Sequence, residues 1–213
     1  MTPQAAARPA SLETELHAIQ ARRWPDSGEH ILAHHDADSI VVYQAYRPST
    51  GRHAIEHGRL GGPDFSFTRM SWIKPNFLWM MYRSGWGTKP GQEVTLGLRL
   101  RRTFFDSLLR SAVASSFDAR RYASRAEWKT ALEDSEVRLQ WDPDHAPDGS
   151  PLRRRALQLG LRGGALDTLA DQLIEVIDMS AFVAEQHVHA LGSSLDELRL
   201  PRESLYPRST EQR

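Results

Sequence analysis

The segment FSFTRMSWIKPNFLWMMYRSGWGTK, residues 65 to 89, constrains the fold more than any other stretch of the chain. Its first eight residues alternate between two faces, which predicts a strand over residues 65–72. Pro75 suits the first turn of a helix and Gly85 suits the position just past its end, so a helix is predicted over residues 75–84. The segment therefore predicts a strand followed closely by a short helix.

The rest of the chain mixes strand and helix signals without a regular alternation of the two. Strands are predicted over residues 40–46, 94–100, 136–141 and 154–160 from alternation or from β-branched and aromatic content. Helices are predicted over residues 52–57, 103–113, 124–133 and 164–178 from the spacing of apolar residues. Because no strict strand–helix–strand order appears, we expect an α+β fold, with a mixed or antiparallel sheet flanked by helices.

Length and local composition predict one domain with an appendage at each end. A chain of 213 residues can bury a substantial core. Residues 1–36 are predicted to form an N-terminal extension with a short amphipathic helix, and residues 37–191 to form the single α+β domain. Residues 192–213 are polar and interrupted by prolines, which predicts a loosely held C-terminal tail.

Composition excludes several classes of protein. Positive and negative side chains balance at 27 each, so no overall charge attracts nucleic acid or an anionic membrane. The absence of cysteine rules out disulfides, thiol nucleophiles and cysteine-ligated metals. No leader segment and no uninterrupted apolar run of about 18 residues is present, so we expect a cytoplasmic protein without a membrane partner.

One short motif suggests a metal site. His53 to His57 reads H-A-I-E-H, which matches the H-x-x-E-H pattern of certain zinc proteases. A catalytic zinc ion needs a third protein ligand, and the sequence downstream supplies no clear helical glutamate for it. The favoured interpretation is a solvent-facing helix, and we expect no metal.

Residues 65–89 also combine aromatic rings with fixed positive charge. Three of the six tryptophans lie here, together with Arg69, Lys74, Arg83 and Lys89. Such a mixture suits a pocket for a flat anionic ligand such as a nucleotide, with the main concave site at the helix end, residues 83–86. The alternative is an amphipathic core helix whose charges point to water, and composition does not separate the two.

Four segments of the chain together resemble one known family. They are VYQAY (42–46), FTRMSWIKPNFLWMMYRSGWGTK (67–89), VRLQWDPDH (137–145) and LQLGL (157–161). In this order, over roughly residues 37–190, they are similar to domain of unknown function 4291, an uncharacterised bacterial and fungal family. This resemblance carries no established activity, and the H-x-x-E-H histidines are not part of its pattern.

A second, fainter resemblance concerns the start of the domain. VYQAY followed by a short helix and a glycine resembles the opening of ADP-ribosyltransferase-type folds, which implies NAD as the cofactor. The resemblance implies roles for residues on three strands: Tyr43 and Gln44, Ser66 or Thr68, and Gln140 or Gln158. The chain lacks the usual opening histidine or arginine and the usual catalytic glutamate at these positions.

Together these observations predict a nucleotide-binding protein, and the second resemblance implies an ADP-ribosyltransferase-like enzyme acting on NAD. The predicted catalytic residues are Thr68, Gln140 and Gln158, and the predicted cofactor-binding residues are Tyr43, Gln44, Arg69, Trp72, Lys74, Tyr82, Arg83 and Trp86. Arg69 or Arg83 would hold the pyrophosphate through two hydrogen bonds, and a glutamine would bind a ribose hydroxyl. The alternative is a non-enzymatic module whose rings stack on bases and whose arginines contact the phosphates of nucleic acid.

Overall fold

The computed structural model describes residues 12–192 and 194–207. Its helices, in chain order, are α1 (His17–Ala21), α2 (Pro48–His57), α3 (Phe77–Ser84), α4 (Arg102–Ser111), α5 (Arg125–Asp134), α6 (Gly163–Gln172), α7 (Ser180–Leu191) and a 3₁₀ turn at Leu195–Glu197. Its strands are β1 (Thr14–Leu16), β2 (Gly28–Glu29), β3 (Leu32–Ala33), β4 (Ser39–Tyr46), β5 (Ser71–Ile73), β6 (Val94–Arg101), β7 (Val113–Ala114), β8 (Val137–His145), β9 (Pro151–Leu161), β10 (Leu173–Asp178), β11 (Arg199–Pro201) and β12 (Ser204–Leu205).

Two sheets form the centre of an α+β domain, as the sequence predicts. One is antiparallel, with the strand order β10-β6-β4. The other has the order β2-β9-β8-β7, mixes parallel and antiparallel pairs, and adds β5 against β9. Tyr43 and Lys74 join the two sheets, since the backbone N–H of each donates to the carbonyl of the other at 2.7 and 3.2 Å.

Strand β4 is buried on both faces and separates two parts of the core. Ile40 and Val42 pack into the larger cluster, with strands β6 and β9 and helix α4. Val41 and Tyr43 pack into the second cluster, with helices α3 and α7. A strand covered on both faces reads as a continuous apolar run, which is why SIVVY gives so clear a strand signal.

The predicted strand over residues 65–72 is wrong for most of its length. Residues 62–70 form turns and irregular backbone, and β5 covers only Ser71–Ile73. The alternating rings pack on one another instead: the Phe65 centroid lies 6.0 Å from that of Tyr46 and 4.7 Å from that of Phe67. The alternating aromatic residues therefore form a cluster of rings next to β5 and do not extend this strand.

The predicted helix over residues 164–178 divides into a helix and a strand. Helix α6 ends at Gln172 and β10 begins at the next residue. Ile174, Val176 and Ile177 are β-branched, which favours extended backbone. β10 then pairs antiparallel with β6 at the edge of the three-stranded sheet.

The C-terminal segment is integrated in the fold, so the predicted loose tail is wrong for its described part. β11 pairs antiparallel with β1, and β12 pairs antiparallel with β3. Leu198 and Leu200 are fully buried. The backbone N–H of Phe77, the first residue of α3, donates to Oε1 of the buried Glu203 at 2.7 Å. The short N-terminal helix that the sequence predicts is α1, which spans five residues.

Helix α2 approaches β6 through Gly51, which yields a first prediction. We expect Gly51→Ala to destabilise the protein by about 1–2 kcal/mol, because overpacking outweighs the helix propensity gained. A Cβ at Gly51 would lie 2.5 Å from Cβ of Val94. The measurement is the free energy of unfolding in urea. Adding Val94→Gly, which removes the Val94 Cβ, should recover part of the Gly51→Ala loss, and a purely additive double variant would contradict the proposed clash.

Candidate functional site

The sheet formed by β5, β9 and β8 is apolar on one face and polar on the other. Leu139, Leu159 and Ile73 pack into the larger core cluster. Side chains alternate along a strand, so the residues between them share the opposite face. The register pairs Gln140 with Gln158, and Trp72 with Gly160. We call this side the polar face, and it consists of Trp72, Lys74, Arg138, Gln140, Asp142 and Gln158.

A carboxylate held by two amides lies at the centre of the polar face. Gln140 Nε2 donates to Oδ1 of Asp142 at 2.8 Å, and Gln158 Nε2 donates to Oδ2 at 2.6 Å. Asp142 is half-buried. Among the described residues, neither glutamine's side-chain carbonyl accepts a hydrogen bond, so both remain available to a ligand. The sequence analysis names the two glutamines as candidate site residues but not Asp142.

Lys74 supplies a buried cation at the end of β5. Its residue is 5% exposed, and its Nζ lies 5.1 Å from the ring centroid of Trp79. Burial, reinforced by the nearby guanidinium of Arg83 and opposed by the Asp142 carboxylate, lowers the pKa of Lys74 to about 8. No hydrogen bond from Nζ is made to any described residue. A buried amine without a hydrogen bond can donate to an anionic ligand.

Arg138 is a second cation of the polar face that the sequence analysis missed. Its Nε is buried and has no hydrogen-bond partner among the described residues. Arg138 lies on β8 and pairs with Gly160 on β9. A Cβ added at Gly160 would lie 2.6 Å from Sδ of Met70 and 3.0 Å from Cε2 of Trp72. Glycine thus lets the Trp72 side chain lie against the sheet. Alternation within VRLQWDPDH could have revealed Arg138, since it shares parity with Gln140.

Two predicted cofactor-binding residues on β4 have structural roles. Tyr43 is 0% exposed, and its ring packs edge-on against Phe77 with centroids 5.3 Å apart. It therefore has no open face, and the prediction that it stacks on nicotinamide is wrong. Gln44 is buried and donates from Nε2 to Ser71 Oγ at 2.8 Å and to the Trp72 carbonyl at 3.1 Å. Gln44 thereby fixes β5 beneath the polar face.

The predicted residues at the end of α3 fall into two groups. Trp86 is buried, donates from Nε1 to the Pro147 carbonyl at 3.2 Å, and packs within the second core cluster. Tyr82 and Arg83 are exposed. Tyr82 stacks on His145 with ring centroids 3.5 Å apart, so one face of its ring is already covered. Only Arg83, through its electrostatic effect on Lys74, is linked to the polar face.

The remaining sequence candidates lie on the loop before β5. Thr68 and Arg69 are both exposed. Thr68 was predicted to lie on a strand over residues 65–72, but it lies on a loop. The structure thus groups Trp72, Lys74, Gln140 and Gln158 on one face but leaves Thr68 and Arg69 on an exposed loop. Two cavities, of about 750 and 870 Å³, lie elsewhere and include none of residues 83–86 in their walls. Neither cavity therefore supports the prediction that this helix end lines the main concave site.

The histidine motif forms a stacked pair on α2. The rings of His53 and His57 lie parallel within 18°, with centroids 4.0 Å apart. Across residues 12–192 and 194–207, no three histidine, aspartate or glutamate side chains are grouped closely enough to hold a metal ion. In the same part of the chain, no helix has the length and apolar character needed to cross a membrane.

Comparison with known proteins identifies the family and no activity. A search of the curated proteins finds none that matches the chain. The family described as Domain of unknown function (DUF4291) matches residues 30–206. This match covers the polar face, both sheets and the C-terminal strands. The protein belongs to the DUF4291 family.

Proposed function

We propose that the polar face binds a nucleotide, with NAD as the first candidate, and that the protein cleaves the bond between nicotinamide and ribose with water as the acceptor, which gives nicotinamide, ADP-ribose and a proton. The observation that carries this proposal is the Asp142 carboxylate, which accepts hydrogen bonds from two amides and interacts with the Lys74 ammonium, on a face that also carries the buried Nε of Arg138. A fixed carboxylate and nearby cations suit a ligand that carries negative phosphates and develops positive charge elsewhere during the reaction.

Each charge on the polar face has a role in this proposal. Arg138 and Lys74 contact the pyrophosphate, since a guanidinium forms paired hydrogen bonds with phosphate and an ammonium adds a further donor. The Trp72 ring supplies an apolar surface for the nicotinamide or the adenine. When nicotinamide departs, positive charge develops on the ribose, and the nearby Asp142 carboxylate stabilises it.

This assignment changes the predicted role of the glutamines. A neutral amide cannot stabilise a positive ribose as strongly as a carboxylate does, so Gln140 and Gln158 act as positioning residues for Asp142. Their free carbonyl oxygens accept hydrogen bonds from the ribose hydroxyls, as the sequence analysis expected of them. Prior orientation of Asp142 avoids reorganisation during the reaction.

The test is release of nicotinamide from NAD by the full chain, measured by chromatography. We expect Asp142→Asn to lower the rate by tenfold or more while leaving the melting temperature within a few degrees, because the amide keeps the shape and loses the charge. Asp167→Asn is the matched control, since Asp167 is exposed on α6. Equal rates for Asp142→Asn and the wild type would refute the assignment. NAD binding without nicotinamide release would refute cleavage.

A further inference from the structure

The larger cavity, of about 870 Å³, lies on the side of β8 opposite the polar face. It is bounded by β8, the end of α4 and residues 112–122. Trp141, between Gln140 and Asp142 in sequence, lines it because successive side chains of a strand point to opposite sides. The cavity is thus separate from the site proposed for NAD. Its volume falls in the range of pockets that hold small molecules, about 300–1,000 Å³.

The wall of this cavity combines aromatic rings with arginines. Phe117, Tyr122 and Trp141 contribute rings, all partly exposed. The phenol of Tyr122 makes no hydrogen bond within residues 12–192 and 194–207. Partly exposed rings around a concave space can stack on a flat heterocycle such as a nucleic-acid base, whichever base it is.

The charged groups around the cavity leave two cations for a ligand. Arg120 is already paired with Asp118 at 2.9 Å. The side chains of Arg110 and Arg121 are exposed and form no ion pair or hydrogen bond with any described residue, although the Arg121 charge helps to lower the pKa of Asp118. Glu29 is the other acid of the wall. Arg110 lies in the last turn of α4, and Arg121 lies in the segment of residues 112–122. The two arginines therefore reach the cavity from different elements.

We propose that this cavity binds a nucleoside phosphate unit, with the base between Tyr122 and Trp141 and the phosphate on Arg110 and Arg121. The unit belongs either to a free nucleotide or to a single-stranded nucleic acid, since both present the same base and phosphate. The proposal does not depend on NAD cleavage. It supplies the rings and arginines that the sequence analysis sought in residues 65–89, at a place that the sequence did not indicate.

The experiment measures binding of a fluorescein-labelled single-stranded RNA of about eight nucleotides to the full chain by anisotropy. The Arg110→Gln/Arg121→Gln double variant is compared with Arg52→Gln/Arg59→Gln, which removes the same charge from two other exposed arginines. We expect the first double variant to bind at least tenfold more weakly and the second to bind within about threefold of the wild type. If both double variants bind the RNA equally weakly, the attraction is unspecific and the proposal is overturned. The proposal is also overturned if the Arg110→Gln/Arg121→Gln variant binds as the wild type does.

Two further measurements identify the source of the ligand and the role of the rings. Removing two phosphate contacts should reduce the slope of log affinity against log salt by about 1.4. AMP competing at micromolar concentration would assign the cavity to a free nucleotide, and RNA binding that AMP does not displace would assign it to a nucleic acid. Tyr122→Ala should weaken either ligand by about tenfold through lost stacking. If Tyr122→Ala binds as the wild type does, the base is not held in this cavity.

Discussion

Asp144→Ala is expected to lower the free energy of unfolding by about 3–5 kcal/mol, because it leaves a buried guanidinium without its counter-ion. Asp144 is 1% exposed, and its Oδ2 accepts from Nε of Arg154 at 2.7 Å and from Nη2 at 2.6 Å. The Arg154 guanidinium also lies 5.4 Å from the Trp24 ring and donates from Nη1 to the Pro25 carbonyl at 2.8 Å. The ion pair thus attaches the N-terminal segment to the β8–β9 hairpin.

The control for this prediction is a similar pair on the surface. Arg120 and Asp118 also form an ion pair, but the Arg120 side chain is 90% exposed. We expect Asp118→Ala to cost much less stability than Asp144→Ala, because water and salt screen an exposed pair. Urea unfolding of the two variants and the wild type gives the comparison. The structure indicates that the Asp144–Arg154 pair is shielded from water. Similar losses of stability for both variants would contradict this.

Lys74→Met is expected to stabilise the protein by about 1–3 kcal/mol at pH 7 while weakening nucleotide binding by tenfold or more. Burial lowers the pKa of Lys74 from 10.5 to about 8, so the folded state holds this proton less tightly than the unfolded chain does. Methionine fills a similar volume without a charge. The cation–π contact with Trp79, worth about 0.5–2 kcal/mol, offsets part of the gain.

The pH dependence of this difference gives an independent check. Below pH 8 both states of the wild type carry the Lys74 proton, so its cost to stability is complete. Between pH 8 and 10.5 the unfolded state retains the proton and the folded state loses it, so wild-type stability rises relative to Lys74→Met. The slope approaches about 1.4 kcal/mol per pH unit. A constant difference from pH 7 to 11 would contradict the lowered pKa of Lys74.

The elements that the sequence predicts well are those whose signal does not depend on distant partners. β4 and β6 are buried over almost their whole length. The apolar run Ile40–Tyr43 marks β4, and the alternating residues Leu96, Leu98 and Leu100 mark β6. Helix α3 has a capping residue and a terminal glycine: Asn76 Oδ1 accepts from the backbone N–H of Trp79 at 2.7 Å, and Gly85 has a φ of 58°. Local chemistry of this kind determines where an element ends.

The parts of the site that the sequence missed depend on the register between strands. Gln140 and Gln158 are separated along the chain, and only the β8–β9 pairing places both against Asp142. Tyr43 and Trp86 are aromatic residues of the kind found in nucleotide-binding sites, yet both rings are buried in the second core cluster. Composition identifies groups that can bind a nucleotide, while burial decides which of them a ligand can reach.

The pairing of β1 with β11 has a consequence for how the protein folds. Thr14 pairs with Pro201, so β1, the first strand described, and β11, the last strand but one, must meet before either has a neighbour in its sheet. Closing so long a loop is costly in chain entropy and slows folding relative to local contacts. During synthesis, residues 12–36 cannot reach their final position until the C-terminal strands have been made. Until then the buried partners of Leu198 and Leu200 remain uncovered, and exposed apolar surface of this kind favours aggregation of a nascent chain.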